Sequence, residues 1–180
     1  MSWAVQALGD TLLVHSDPSK PAGVPKPTDE ALAGKKFVIL YFSASWCPPC
    51  KKFTSFFSVL YEDMIEGADR NEVEVRWRAP PHFSLRRERS PSASLPLPSL
   101  SQVVLVSHDH TVSDFNEYFS GMQWAAIPFA AEDKRDGLTE AHGVEGLPQA
   151  LVLRVADGSV VLKDCRELVN TKKTLVGIFQ

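Results

Sequence analysis

From Lys36 to Ser43 the chain reads Lys-Phe-Val-Ile-Leu-Tyr-Phe-Ser, an unbroken β-branched and aromatic run of strand length. With no polar position inside it, such a strand has to be covered on both faces, so it predicts the centre of a sheet flanked by two layers. From Pro49 to Ile65 the residues Phe53, Phe56, Phe57, Leu60 and Met64 recur at three- and four-residue spacings. That predicts a helix with one apolar side and Gly67 as its stop. The turn between strand and helix carries Ser45-Trp46-Cys47-Pro48-Pro49-Cys50-Lys51.

The rest of the chain continues the pattern. Glu72-Val73-Glu74-Val75 starts a second strand and Val103 to Ser107 reads as another. A helix capped by Ser113 carries Phe115, Tyr118 and Phe119, a loop follows at Ile127-Pro128-Phe129, and a short helix is expected from Glu132 to His142. Gln149 to Val155 and Ser159 to Lys163 form a hairpin around Ala156-Asp157-Gly158, and Arg166 to Phe179 reads as a terminal amphipathic helix. At the N-terminal end, Asp17 to Pro27 is rich in Pro, Ser and Gly and reads as a loop, with the ordered core starting after Thr28 to Lys36. This order predicts an α/β, three-layer fold: a mixed sheet with a parallel core, an antiparallel edge hairpin and helices on both faces. At 180 residues it is expected to be one domain, 1–180, with its core over 31–165.

Two cysteines separated by two residues at a helix start can close and open a disulfide. The helix N-terminus stabilises a thiolate at the first sulfur, which makes Cys47 the expected nucleophile and Cys50 the resolving thiol. A half zinc site and a structural pair are the competing readings. Zinc needs two further ligands, and Cys165 with the scattered His15, His82, His108, His110 and His142 supplies no second pair, so redox chemistry is favoured and no metal is expected. Three cysteines do not make the framework of a small secreted domain. A net charge of −3 gives no basic field for nucleic acid. No apolar stretch approaches a membrane span, and Met1 to Asp10 has no basic start followed by an apolar signal core. The expected setting is the cytoplasm, with the nucleus also open, and neither membrane nor nucleic acid is expected as a partner.

The run from Tyr41 to Thr54, Tyr-Phe-Ser-Ala-Ser-Trp-Cys-Pro-Pro-Cys-Lys-Lys-Phe-Thr, closely resembles the active-site segment of the tryparedoxin and nucleoredoxin branch of the thioredoxin superfamily. Val103 to Asp109, Phe115 to Phe119, Met122 to Phe129 and Val144 to Gln149 follow that family in order and spacing. The resemblance implies a thioredoxin-like fold and a thiol–disulfide oxidoreductase that reduces protein disulfides or relays electrons to a peroxidase of the peroxiredoxin kind. It implies no cofactor beyond the redox-active Cys47–Cys50 disulfide. Its electron donor would be a low-molecular-weight dithiol or a reductase: trypanothione, glutathione or thioredoxin reductase. It also implies that Pro148 is cis and presents the Leu147 backbone beside Cys47, and that Trp46 joins an exposed rim, with Pro48 and Pro49 also facing substrate. Arg166 is a candidate for engaging charged groups of the substrate. Tyr41 stands where thioredoxins place a buried Asp, so proton transfer must use another group. A redox-responsive binding module without rapid turnover is the alternative function.

Three further features weigh less. His108-Asp109-His110 has metal-binding donors but follows a strand and is expected to be a solvated loop. Cys165 reads as an inert core thiol. Residues 76–102 depart in composition, with Pro80, Pro81, Pro91, Pro96 and Pro98 among clustered Arg and Ser. They do not build a core and read as an insertion: a disordered basic loop, an inert surface loop, or translated noncoding sequence. The last is preferred. Removing Val75 through Gln102 joins Glu72-Val73-Glu74 to Val103-Val104-Leu105 as one strand, and Leu95 to Gln102 can be encoded by a pyrimidine-rich tract ending in CAG. The chain ends at Gln180 without the Phe-Pro-Trp ending usual in the family.

Overall fold

The computed structural model describes residues 2–17, 20–66 and 101–167. The chain order is α1 (Trp3–Leu8), β1 (Thr11–Val14), β2 (Val24–Pro27), α2 (Thr28–Ala31), β3 (Phe37–Ser43), α3 (Pro48–Glu66), β4 (Ser101–Ser107), α4 (Val112–Ser120), β5 (Ala125–Ala126), α5 (Glu132–Ala141), β6 (Gln149–Arg154) and β7 (Val160–Leu162). The strands form one mixed sheet in the order β2-β1-β5-β4-β3-β6-β7. β3 runs parallel to β4, and β4 to β5; the remaining pairings are antiparallel. The strand that the apolar run predicts, β3, lies inside the sheet between β4 and β6, one place from its centre, and every residue of it is buried.

Because side chains alternate across a strand, β3 feeds two cores. Ile39 and Tyr41 face Phe53, Phe57 and Tyr61 of α3, Phe115 and Phe119 of α4, and Trp124. Val38, Leu40 and Phe42 face the other way, onto Ala4 and Leu8 of α1, Leu12 of β1, Leu138 of α5, and Leu151 and Leu153 of β6. α3 and α4 cover one face of the sheet, α1 and α5 the other, giving the three layers.

The N-terminal region departs from expectation. Residues 17–27 are not all loop, since β2 pairs with β1 from Thr11↔Pro27 to Val14↔Val24, and the core starts well before Thr28. Leu8 and Leu12 are fully buried, and each adds roughly 2 kcal/mol over an exposed position. Trp3 ties this region to the far hairpin through an Nε1 hydrogen bond to the Val155 carbonyl at 2.5 Å. Pro25 and Pro27 of β2 are exposed on the outermost strand, the one place in a sheet where prolines fit, because they have no N–H to give the ladder.

Smaller differences follow from local hydrogen bonding. The cap of α4 is Thr111, whose Oγ1 accepts from Asp114 N at 3.1 Å; Ser113 lies inside the helix. Ser101 and Gln102, grouped by composition with the insertion, already pair in β4 with Phe37 and Val38. The expected strand at 72–75, the insertion up to residue 100 and the terminal helix beyond Glu167 lie outside the described residues.

Candidate active site

Cys47 and Cys50 are joined by a disulfide at the junction of β3 and α3, their Cα atoms 5.2 Å apart. The first four backbone nitrogens of a helix have no partner inside it, and here each can be accounted for. Cys47 N donates to the Ala44 carbonyl at 3.3 Å, Pro48 and Pro49 carry no N–H, and Cys50 N donates to Cys47 Sγ at 3.3 Å. The Cys47 sulfur thus takes the place of the capping oxygen and receives the one free donor of the first turn. Cys50 is fully buried and Cys47 is 5% exposed, with Ala44 and Leu147 packed against the pair. Pro48 and Pro49 are exposed.

The turn is braced by the neighbouring strand. In the parallel register Ser43 lies opposite Ser107, which brings Asp109 beside Ser45. Asp109 accepts from Ser45 N at 2.6 Å and from Ser107 Oγ at 2.7 Å, and is 5% exposed. The loop expected at His108-Asp109-His110 is present and His110 is exposed, but Asp109 is not solvated: a carboxylate with two such donors is a buried brace. Trp46 is 54% exposed, yet its indole N–H donates to the His108 carbonyl at 2.9 Å and its ring stacks on His110 at 5.4 Å. Burial lowers the His108 imidazole below its ordinary range, Arg135 lowers it further, and Asp136 and Asp109 oppose the shift.

On the other side of the disulfide the Leu147–Pro148 bond is cis. Pro148 is buried, and its carbonyl accepts from Arg166 Nη1 at 2.6 Å. Arg166 is held in turn by Asp164, with Nη2 2.6 Å from the carboxylate. Pro49, Phe56, Pro148 and Arg166 line a cleft of about 760 Å³. Trp46, Pro48, Pro49, Leu147, Pro148 and Arg166 are thereby brought around one disulfide by three separate segments.

Beneath Cys50 lies a group of hydroxyls that the sequence did not point to. Thr54 Oγ1 donates to the Cys50 carbonyl at 3.0 Å and lies 2.6 Å from Tyr118 Oη, while Ser43 Oγ lies 2.8 Å from the same Tyr118 oxygen. Tyr41 Oη lies 2.9 Å from Thr54 Oγ1 and accepts from Ser43 Oγ at 3.0 Å. Burial, then the nearby Tyr118, pushes the Tyr41 phenol far above its ordinary value, so it stays a neutral hydroxyl. Ser43 and Thr54 sit in the quoted motif, but only the packing of α4 against α3 supplies Tyr118. Cys165 is fully buried, its thiol pushed up to about 12 by burial and then by Asp164, which makes it unreactive. Among the described residues no group of His, Cys, Asp and Glu could hold a metal ion.

This sheet order, with a disulfide at the end of an interior parallel strand and on a helix N-terminus, defines a thioredoxin-like protein. Residues 25–78 match the Thioredoxin family and 100–160 the Thioredoxin-like family. Tryparedoxin from Trypanosoma brucei brucei is 30% identical over 139 residues, covering 77% of this chain and 74% of the relative. Nucleoredoxin from Xenopus laevis is 29% identical over 161 residues, covering 79% of this chain but 31% of the relative, so the chain spans about a third of that nucleoredoxin. Of solved structures, tryparedoxin from Trypanosoma brucei superposes with a TM-score of 0.71 at 26% identity, over 98% of this chain and 96% of that one. Native tryparedoxin I from Crithidia fasciculata gives 0.69 at 25% identity, over 97% and 95%. The chain belongs to the tryparedoxin and nucleoredoxin branch of the thioredoxin superfamily.

Proposed function

We propose that the protein is a thiol–disulfide oxidoreductase that reduces disulfides in other proteins through Cys47 and Cys50. The observation that carries this reading is the Cys50 N–H aimed at Cys47 Sγ, with Pro48 and Pro49 removing competing donors. In the reduced state the same N–H and the helix end stabilise a Cys47 thiolate. That thiolate attacks one sulfur of a substrate disulfide, forming a Cys47–substrate disulfide and expelling the other substrate sulfur as a thiolate. Cys50, once deprotonated, attacks Cys47 Sγ and releases the second substrate thiol. Two electrons pass to the substrate and the Cys47–Cys50 disulfide is left, to be reduced by an external dithiol or a reductase.

The cis peptide at Pro148 supports a role for the Leu147 backbone as a docking edge for an extended substrate segment. Trp46 and the exposed Pro48 and Pro49 fit the rim of such a surface. Arg166 is drawn onto the Pro148 carbonyl, so in this reading it orders that loop and keeps a charge at the cleft mouth for an acidic group. A peroxiredoxin is among the candidate acceptors, and the cytoplasm or nucleus the candidate setting.

Cys47→Ser should abolish the protein's acceleration of insulin reduction by dithiothreitol while leaving the circular dichroism spectrum unchanged, and Cys50→Ser should accumulate a mixed disulfide with substrate. Turnover retained by Cys47→Ser rejects the assignment. A single stoichiometric reduction without turnover in the wild type would make the chain a redox-responsive binding module instead. Trypanothione, glutathione and thioredoxin reductase, tried in parallel as reductants, identify the donor.

A further inference from the structure

A second cleft, of about 510 Å³, opens on the far side of Trp46, away from Pro148 and Arg166. Trp46 and His110 line it as a stacked pair, and Phe129 and Arg135 of α5 line it too. Arg135 is 7% exposed. Its Nη1 donates to the Ser107 carbonyl at 2.8 Å and its guanidinium lies 4.6 Å from the centre of the Phe129 ring. Its Nε is sealed from solvent and has no hydrogen-bond partner among the described residues. Among those residues it enters no ion pair either.

A guanidinium stays charged throughout the accessible pH range, and burying that charge without a counter-ion is costly. The carboxylates of the cleft do not fill the need. Asp109 is engaged by Ser45 and Ser107, while Glu132 and Asp136 are exposed on the lining. What Arg135 lacks is a planar anion, and the aromatic wall beside it suits the apolar part of a ligand.

We propose that this cleft binds a carboxylate of the disulfide-bearing ligand, with Arg135 as the anion-binding residue and the Trp46–His110 pair as the surface on which the rest of the ligand lies. The proposal rests on the oxidoreductase reading, which supplies the disulfide at Cys47; Trp46 directly precedes that cysteine, so a ligand held here has a sulfur to offer it. Two sources supply such a carboxylate, the free terminus of a small peptide thiol and an Asp or Glu side chain of a protein substrate.

Binding is tested without turnover, on the oxidised full-length protein, by titrating S-methylglutathione and its diethyl ester while following the Trp46 indole N–H by NMR. The free acid should shift that signal and bind roughly tenfold more tightly than the ester, the size of one charge-assisted contact. Arg135→Gln should bring the acid down to the level of the ester, and Glu132→Gln with Asp136→Asn should tighten the acid severalfold. Equal binding of acid and ester overturns the proposal, as does an unchanged acid affinity in a folded Arg135→Gln protein. Should Arg135→Gln not fold, the ester comparison and the Glu132/Asp136 pair decide alone. Blocked peptides with either one internal Glu or one free C-terminal carboxylate separate the two sources. Loss of insulin reduction in Cys47→Ser is scored separately, so the oxidoreductase reading and the carboxylate cleft stand or fall independently.

Discussion

At the scale of single residues, the site is governed by what each buried polar group is offered. The Cys47 sulfur receives an N–H, Asp109 receives two donors, and the hydroxyls of Tyr41, Ser43, Thr54 and Tyr118 satisfy one another. Two histidines respond to burial itself. Burial lowers His108 and His142 below their ordinary value of 6.5, so the folded chain holds fewer protons than the unfolded chain just below that pH. Their contribution to stability is complete above 6.5 and is lost as pH falls through the window beneath it. The urea midpoint should therefore drop between pH 7 and pH 5, and His108→Gln with His142→Gln should flatten that drop. An equal drop in the double variant would assign it to other groups. Cys47 and Cys50 were legible in the sequence because their spacing is local. Asp109 was not: its partner Ser45 is 64 residues away and meets it only through the β3–β4 register. Arg135 was not legible for the same reason, and Tyr118 was read only as part of a helix, since a buried Arg or a hydroxyl cluster leaves no periodic signal.

At the scale of elements, legibility tracked how far a segment determines its own structure. β3 and α3 have strong one-dimensional patterns, and the sequence placed them within a residue or so; the Asp157-Gly158 turn did the same for β6 and β7. β5 is two alanines, too short to carry a pattern, and β2 reads Val-Pro-Lys-Pro, whose prolines argue for a loop unless the strand is known to lie outermost. α4 shows how a cap couples to the site. Thr111 Oγ1 accepts from Asp114 N and donates to the Asp114 carboxylate at 2.7 Å, fixing the start of the helix that carries Phe115, Tyr118 and Phe119. Thr111→Ala should cost about 1 kcal/mol of stability in urea denaturation, and Thr111→Ser should cost far less. Equal losses would mean that the methyl group, not the hydroxyl, matters there.

For the whole molecule, the stretch between α3 and β4 is what sets this chain apart in composition. The two family matches leave 79–99 between them, and we propose that 75–102 is translated noncoding sequence. Joining Glu74 to Val103 would set Val73 opposite Phe37, where Ser101 is now 1% exposed, and Glu74 opposite Val38 in place of the half-buried Gln102. An apolar side chain at that buried position is worth roughly 1–2 kcal/mol, so the shortened protein should melt a few degrees higher. Failure of the shortened chain to fold, or transcripts that carry these codons at full abundance, would reject the proposal. The sheet as a whole has a further property that follows from its outermost strand. Pro25 and Pro27 alternate along β2, so the side of that strand turned away from β1 has no N–H to offer an incoming chain. Strand-by-strand self-association is therefore blocked at that end, and among the described residues the edge left for it is the opposite one, β7, where Val160 and Val161 lie exposed.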